Sequence, residues 1–449
     1  MELLVLIHLL RAALESGDFS ELADKLADTH PADLAAALAE FSPAHQWQLL
    51  TQCPLARQAE IFVYLPLEQQ VQLAHSISRA RFTPLIRQMS SDERADLFNK
   101  FSDEQKQALL PALAQAERDD ILSLSSYSEG TAGAIMSSDY AMLSPHLTVS
   151  EAIEVLRHEA PDKETIYLSY VVDEKRALIG ALSLRELILA PASALVDDVM
   201  KHDPIQVTAD SSQEEVAALI ARYDLLAIPV VNQQGQLVGI VTHDDAMDVA
   251  AAEATEDFHK TATIGKLEGS VKDAKISLLY RKRVVWLVVL VFGNIFSGAG
   301  LALFEQVISQ HIALLFFLPL LIASSGNAGA QSGTLMVRAL ATGDVKLRDW
   351  GKMLGKEVLI ASLLGLTMAA AVSGLGFLRG GADISVVVAA TMLLVVMIGS
   401  LIGLSLPFLL SRFGMDPATA SGPLITSIAD VAGVVIYFSI ASWYLELVL

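Results

Sequence analysis

The chain has almost no cysteine, few cations in its first half and no catalytic signature. Cys53 is the single cysteine among 449 residues. That excludes an intramolecular disulfide framework and a cysteine-based zinc site. No GxxxxGK[ST], GxSxG or HExxH sequence occurs, so the motif-based case for an ATP-driven or membrane-linked enzyme is absent. Residues 1–280 hold 21 Lys and Arg against 43 Asp and Glu, a net of −22, whereas residues 281–449 hold 10 against 8, a net of +2. The acidic part excludes nucleic acid as a partner, because phosphate binding needs clustered Lys and Arg. It suits cations, and it also suits plain solubility. The apolar start, Met1 to Leu14, contains His8 and Arg11 and lacks a basic first stretch with a small-residue cleavage site. An amphipathic helix is expected there, not a signal peptide.

What the second part does have is length without charge. Five segments, 284–304, 311–340, 354–378, 385–411 and 422–447, are long and apolar enough to cross about 30 Å of hydrocarbon. Basic residues gather at alternate ends: Arg281, Lys282 and Arg283 before the first, Arg338, Lys346, Arg348, Lys352 and Lys356 between the second and third, and Arg412 after the fourth. Glu305, Asp383 and Glu446 mark the opposite ends, with Arg379 as a counterexample. The positive-inside rule then places the N-terminal region in the cytoplasm and the C-terminus outside, in a plasma (inner) membrane.

Two features inside these spans exceed what an anchor needs. In the second, Pro319 precedes Ser324-Ser325-Gly326-Asn327-Ala328-Gly329-Ala330-Gln331-Ser332-Gly333. Polar or broken backbone at that depth survives where protein or a water-filled cavity satisfies it, although small residues also serve close helix packing. Gly399 and Gly403 form a further small-xxx-small pair. In the last span, Asp430 lies about nine residues in, near mid-membrane at 1.5 Å per residue. A carboxylate there costs at least ~2.5 kcal/mol. No Lys or Arg lies in the apolar interior of any span to pair with it. That argues for a functional site and against an anion carrier or a receptor without transport. Oxygen ligands without sulfur or a histidine cluster select hard cations, and Mg2+ in particular keeps several of its waters.

The first part contains a repeat of about 60 residues over 136–248. Met136…Leu143-Ser144 and Leu168-Ser169-Tyr170-Val171-Val172-Asp173…Gly180-Ala181-Leu182-Ser183 are echoed by Met200…Val207-Thr208 and Ala227-Ile228-Pro229-Val230-Val231-Asn232…Gly239-Ile240-Val241-Thr242. Each copy predicts helix, strand, turn, strand, helix, and the pair resembles cystathionine-β-synthase-type (CBS) modules. Such pairs bind adenine nucleotides, and Thr242-His243-Asp244 matches their Ser/Thr-x-Asp ribose pattern, whereas Ser183-Leu184-Arg185 does not. Residues 18–130 predict a short solenoid of stacked helices, with His30-Pro31-Ala32-Asp33 and Ser90-Ser91-Asp92-Glu93 as helix starts. A connector over 246–278, free of proline, should be mostly helix with a break at Gly265 or Gly269. Asp244, Asp245, Asp248, Glu253, Glu256 and Asp257 bunch along it, and a bound cation would reverse their mutual repulsion.

Taken together, Ala254-Thr255-Glu256-Asp257, Gly326-Asn327-Ala328-Gly329-Ala330-Gln331 and Asp416-Pro417-Ala418…Ser421-Gly422-Pro423…Ala429-Asp430 make essentially the whole chain similar to the MgtE family of magnesium channels. The resemblance implies a homodimer of multi-domain fold. An α-helical superhelical acidic N domain (1–130) is followed by an α/β CBS-domain pair (131–195 and 196–249), a long connecting plug helix (250–280) and a five-helix transmembrane pore domain (281–449). It implies pore contacts to Mg2+ at Asp430, with Ala429, Thr426, Gly422 and Asn327 around it. It also implies regulatory Mg2+ held by Asp245, Asp248, Glu253, Glu256, Asp257 and Asp416, joined by Glu214, Asp224 and an N-domain acid at Asp92 or Glu93. ATP or another adenine nucleotide would use Arg185, Thr242 and Asp244 of the CBS pair. The implied partners are a second copy of the chain, the lipid bilayer, and Mg2+ or other divalent cations. The implied activity is Mg2+ conduction shut by internal Mg2+.

Overall fold

The computed structural model describes residues 3–20, 22–265, 271 and 274–445. Gly269, Glu446 and the last residues of the fifth expected span lie outside them. The chain divides into two compact units, Met1–Ala251 and Ala252–Leu449.

The first unit opens with ten α-helices of 7 to 14 residues between Leu3 and Leu124. Proline sets several starts: Pro31 and Pro43 occupy the first turn of their helices, and Pro54 and Pro66 precede theirs. Its fixed φ suits a helix start, and its missing N–H is not needed there. The first helix, Leu3–Ser16, buries Leu6, Leu10 and Ala13, the spacing of one amphipathic face. Leu3–Ser16 packs on Pro31–Leu38, that helix on Leu55–Val63, and that one on Arg79–Ile86. A second stack runs from Pro43–Leu50 through Leu67–Ser76 and Ser91–Lys100 to Gln115–Leu124. Helices that contact the next but one in sequence form a superhelical solenoid. Its core is mostly leucine and phenylalanine, with Leu34, Leu73, Leu85, Leu97 and Phe62 fully buried.

The repeat folds as two small sheets. β1 (Tyr140–Leu143) pairs parallel with β2 (Thr165–Val172), and β2 pairs antiparallel with β3 (Leu178–Ser183). In the second copy β5 (Val207–Thr208) pairs parallel with β6 (Ala227–Val231), and β6 antiparallel with β7 (Leu237–Thr242). The parallel strands β1 and β5 that precede each first helix are additional to the expected elements, because runs this short leave little periodicity to read. The two copies also exchange their leading segments. β4 (Lys201–His202), at the start of the second copy, completes the first sheet against Gly180 and Ala181. Ser137, at the start of the first copy, bridges to Ile240 of the second sheet. Neither copy closes its sheet alone.

A long helix, His243–Thr261, leaves the second sheet. It ends earlier than expected, and neither glycine ends it. Thr263 takes φ 57, with its N–H on Lys260 O (2.9 Å) and the Ile264 N–H on His259 O (2.8 Å). Those two bonds form a Schellman cap, whose left-handed residue is usually glycine. A β-branched residue there is strained. Thr263→Gly is therefore expected to raise stability by about 1 kcal/mol, read as a higher midpoint in thermal unfolding of the purified protein in detergent. Gly265 instead donates its N–H to Lys282 O (3.0 Å).

In the second unit the spans are Ile276–Leu303, Ala313–Ala341, Trp350–Arg412 and Gly422–Tyr444. Trp350–Arg412 has 63 residues, about 95 Å if straight at 1.5 Å each, three times a bilayer core. It turns back at Gly381, whose φ 78 and ψ −172 lie in a region open essentially to glycine. The arms 350–380 and 382–412 are the third and fourth expected spans, laced where Ser385 Oγ donates to Ser373 O (2.7 Å). Five membrane helices result, as expected.

The second span is not broken. Ala313–Ala341 runs as one helix through Pro319, and its small residues pack. Ser325 Oγ donates to Val395 O (2.8 Å), buried against the fourth span. Among the described residues of the first span only Gly300 is buried, and that helix packs on the last one.

Candidate ion pathway and acidic clusters

Ser421 caps the last helix through the Leu424 N–H, with Gly422 and Pro423 in its first turn. Ile425, Ala429, Gly433 and Tyr437, spaced by four, are its buried face. Tyr437 Oη donates to Leu314 O (2.9 Å), which anchors that face to the second span. On the adjoining face Gly422 and Thr426 come against Ala330 and Gly326 of the second span, and Gly433 of the buried face comes against Ile322. Asp430 falls between Thr426 and Gly433, one turn from each, and is half-buried. Among the described residues its carboxylate has no hydrogen-bond or ion-pair partner. Thr426 Oγ1 and Ser427 Oγ both donate to Pro423 O (2.9 Å each), so neither hydroxyl is spent on Asp430.

Asn327, Gln331, Thr334 and Arg338 are exposed on the second span at spacings of four, three and four. They form one polar stripe on a helix otherwise fit for lipid. Amide groups at that depth require water or protein to satisfy them. Only Asn327 was expected from sequence; Gln331 and Thr334 are added by their register with it. The Asp430 carboxylate and the amide and hydroxyl oxygens of this stripe are hard donors, the class that suits Mg2+.

Acids of the first unit gather where the helical region meets the CBS pair. Asp92, Glu93 and Asp96 come from Ser91–Lys100, Glu164 from the residue before β2, and Asp245 from the first turn of His243–Thr261. Burial, then the charges of Asp92, Asp96, Asp245 and Glu164, push Glu93 up to about 8. Burial and the charges of Asp92, Asp245 and Asp139 likewise push Glu164 up to about 8. Asp245 rises to about 7 and Asp96 to about 6, each by burial first and Asp92 second. Asp92 also rises by burial, and its Oδ1 is buried without a hydrogen-bond partner. Arg94, at 3.5 Å from Asp120 and 3.9 Å from Asp139, compensates only the rim. Asp96 and Glu164 were missed from sequence, because nothing local links helix eight of a solenoid to a strand seventy residues on.

The remaining expected acids are dispersed on this unit. Asp248, Asp224, Glu214 and Asp244 are exposed, and Asp224 ends its helix in the left-handed conformation (φ 49). Thr242 Oγ1 donates to the Asp245 carboxylate, which occupies the hydroxyl of the ribose pattern. Arg185 is exposed, and Ser183 is committed to a capping box with Glu186 (2.8 Å).

A second cluster lies wholly within the membrane unit. Lys260 Nζ bonds Glu256 at 2.7 Å and Asp416 Oδ2 at 2.5 Å. Asp416 also accepts from the Ala418 N–H (2.8 Å), which fixes the turn before the last span. Burial raises the Asp257 carboxyl, as do Asp416, Glu253 and Glu256, while Lys260 opposes them. Of the expected acids, Glu253, Glu256, Asp257 and Asp416 lie together here, with Lys260, which was not expected, among them. Among the described residues no three acidic or histidine side chains converge as a closed metal site.

Family models match along most of the chain. They describe an MgtE intracellular N domain over residues 29–130, CBS domains over 132–193 and 196–252, and an MgtE divalent cation transporter over 318–440. The magnesium transporter MgtE of Thermus thermophilus is 42% identical over 342 residues, which are 76% of this chain and 76% of that protein. The Bacillus subtilis magnesium transporter MgtE is 33% identical over 373 residues, 83% and 82% of the two chains. A solved structure of the cytosolic domain of the Mg2+ channel MgtE in complex with ATP aligns with a TM-score of 0.52 at 39% identity, covering 54% of this chain and 98% of that one. This chain belongs to the MgtE family of divalent cation transporters.

Proposed function

We propose that the chain is a Mg2+-selective channel or transporter that works as a homodimer and is shut by internal Mg2+. The observation that carries the transport reading is Asp430, a half-buried carboxylate in a membrane helix with no hydrogen-bond or ion-pair partner among the described residues. One Asp per subunit, with Ala429, Thr426 and Gly422 nearby, would hold a hydrated divalent ion on a two-fold axis. Residues 1–280 face the cytoplasm and the C-terminus faces outward, as the basic ends of the spans favour. Uptake into proteoliposomes, followed with a Mg2+ indicator and competed by Mn2+, Co2+ and Ca2+, tests selectivity. Competition by Ca2+ at equal concentration would defeat the Mg2+ assignment.

Gating follows from repulsion. Without a divalent ion, Asp92 and Asp245 with Glu93 and Glu164, and Glu253, Glu256 and Asp257 with Asp416, hold like charges close. Asp248, Glu214 and Asp224 add acid at the surface, where a second subunit would meet them. Mg2+ bridges these groups, favours the compact state and closes the pore, provided that state binds the ion more tightly. An adenine nucleotide at the CBS pair, contacted by Arg185, Thr242 and Asp244, is a further ligand of the same unit. The CBS fold and the ATP-bound relative support it.

Removal of the ion has a signed consequence for stability. Glu93 titrates near 8 in the fold against 4.5 unfolded, so its raised value favours folding below 4.5, and that benefit is lost as pH rises through 8. Ion-free protein should therefore lose stability from about pH 5 to about pH 8. Mg2+ should restore it most at the alkaline end. Glu93→Gln should raise the ion-free melting temperature at pH 8 by about 3 °C and flatten both dependences in thermal scans. An unchanged pH profile in that variant would remove Glu93 from the repelling cluster.

A further inference from the structure

We infer that Lys260 is a tethered counter-ion that occupies the cluster at the base of the last span, and that a divalent ion must displace it to bind there. The inference rests on the reading of this cluster as a regulatory Mg2+ site and adds what sets its affinity. Lys260 sits on the last turn of His243–Thr261. Its ammonium makes two contacts of salt-bridge length at once, 2.7 Å to Glu256 and 2.5 Å to Asp416.

The first contact is ordinary. Glu256 and Lys260 stand four apart with the acid toward the N-terminus, the favourable order on a helix, worth a few tenths of a kcal/mol. The second has no local cause, since Asp416 is 156 residues away in sequence, in the turn before the helix that carries Asp430. The lysine thus places one positive charge where two carboxylates from different elements point. Asp257 and Glu253 add further negative charge to the cluster: burial first, then Asp416, Glu253 and Glu256, raise the Asp257 carboxyl, and Lys260 opposes them.

A lysine ammonium is ordinarily charged at neutral pH, and here it lies between two carboxylates. The charged ammonium competes with Mg2+ for the same oxygens. Because it is tethered, it competes at an effective concentration that free salt does not match. The partners are partly exposed, with side-chain accessibilities of 32% for Lys260 and 37% for Asp416. The competition is therefore modest, and the lysine is displaceable: it can swing into water while the ion takes its place.

The lysine so read lowers the affinity of the site. Internal Mg2+ closes the pore at a higher concentration than the four acids alone would set. A lysine that merely latched the connector to the pore mouth would have the opposite effect on removal, because loss of the latch would weaken closure.

Two measurements on the full chain separate these. In detergent, Mn2+ binding is followed by electron paramagnetic resonance for the intact chain, Lys260→Met, Lys260→Arg and Lys260→Met with Asp416→Asn. In proteoliposomes, the internal Mg2+ that halves uptake is measured for the same set. Lys260→Met should tighten one Mn2+ site by about three- to tenfold and lower the half-inhibiting Mg2+ by a similar factor. Lys260→Arg should resemble the intact chain, and adding Asp416→Asn should abolish the gain. Unchanged or weaker Mn2+ binding in Lys260→Met overturns the inference. If uptake ignores internal Mg2+ in every variant while Lys260→Met still tightens the Mn2+ site, the gating proposal fails and the counter-ion role stands.

Discussion

Asp430→Ala is expected to cut Mg2+ uptake by at least two orders of magnitude in proteoliposomes, with protein yield and oligomeric state unchanged. The reasoning is electrostatic. A unit charge pair at about 4 Å is worth about 4 kcal/mol at an effective dielectric near 20, and each 1.4 kcal/mol is tenfold in occupancy. Loss of one carboxylate per subunit removes that attraction. Among the described residues no second carboxylate stands on the same face of the last helix. Asp430→Glu keeps the charge but moves it by a methylene, so it should retain conduction and lose discrimination. The variant should fold, because Asp430 satisfies no partner among the described residues and its removal leaves no buried group unpaired. Selectivity is read by repeating the uptake with Ca2+ and Co2+.

The second large effect is structural. A Cβ at Gly403 would lie 2.0 Å from Gly329 O, and one at Gly399 would lie 2.3 Å from Ser325 O. Backbone, not a flexible side chain, stands in the way, so the second and fourth spans would have to part. Gly403→Val should cost several kcal/mol, at the upper end for overpacking, and yield aggregated protein on size-exclusion chromatography. Gly355→Val, on the third span with open space around its Cα, should behave as the intact chain apart from a small helix-propensity change. Equal tolerance of both substitutions would show that the close helix contact is not what holds the pore domain together.

These glycines illustrate what was legible in the sequence. Their spacing of four signalled helix contact, yet the same run of small residues with Asn327 and Gln331 also read as a broken span. Only the pairing of Gly329 with Gly403, and of Ser325 with Val395, separates the packing face from the polar one. The spans were legible from long uncharged apolar runs, and the repeat and solenoid because each rests on a period. Leu6, Leu10 and Ala13 repeat at helical spacing, and Met136 and Met200 begin copies about 60 residues apart. Asp430 was legible because a charge in an apolar run is conspicuous.

Other features depend on long-range contacts and left no local mark. Glu164 is an unremarkable acid until β2 carries it beside Asp92 and Glu93. Lys260 drew no reading from the sequence, because nothing local ties it to the turn at Asp416, 156 residues away. The connector's end was misplaced for a different reason. Glycine is the usual left-handed residue, so Gly265 and Gly269 drew attention, whereas the chain uses Thr263 at the expense of strain. The exchange of leading segments between the CBS copies is likewise invisible to a reading that treats each copy as self-contained.

The central claim is that one chain both conducts Mg2+ and senses it on the inside. The most direct test is the initial rate of Mg2+ uptake by the intact protein in proteoliposomes, with outside Mg2+ fixed and inside Mg2+ raised stepwise. The account predicts a rate that falls steeply, more steeply than a single binding site allows, and that does not fall when Asp92, Asp245 and Asp416 are replaced by Asn. A rate that declines only with the shrinking gradient, equally in both proteins, would contradict it.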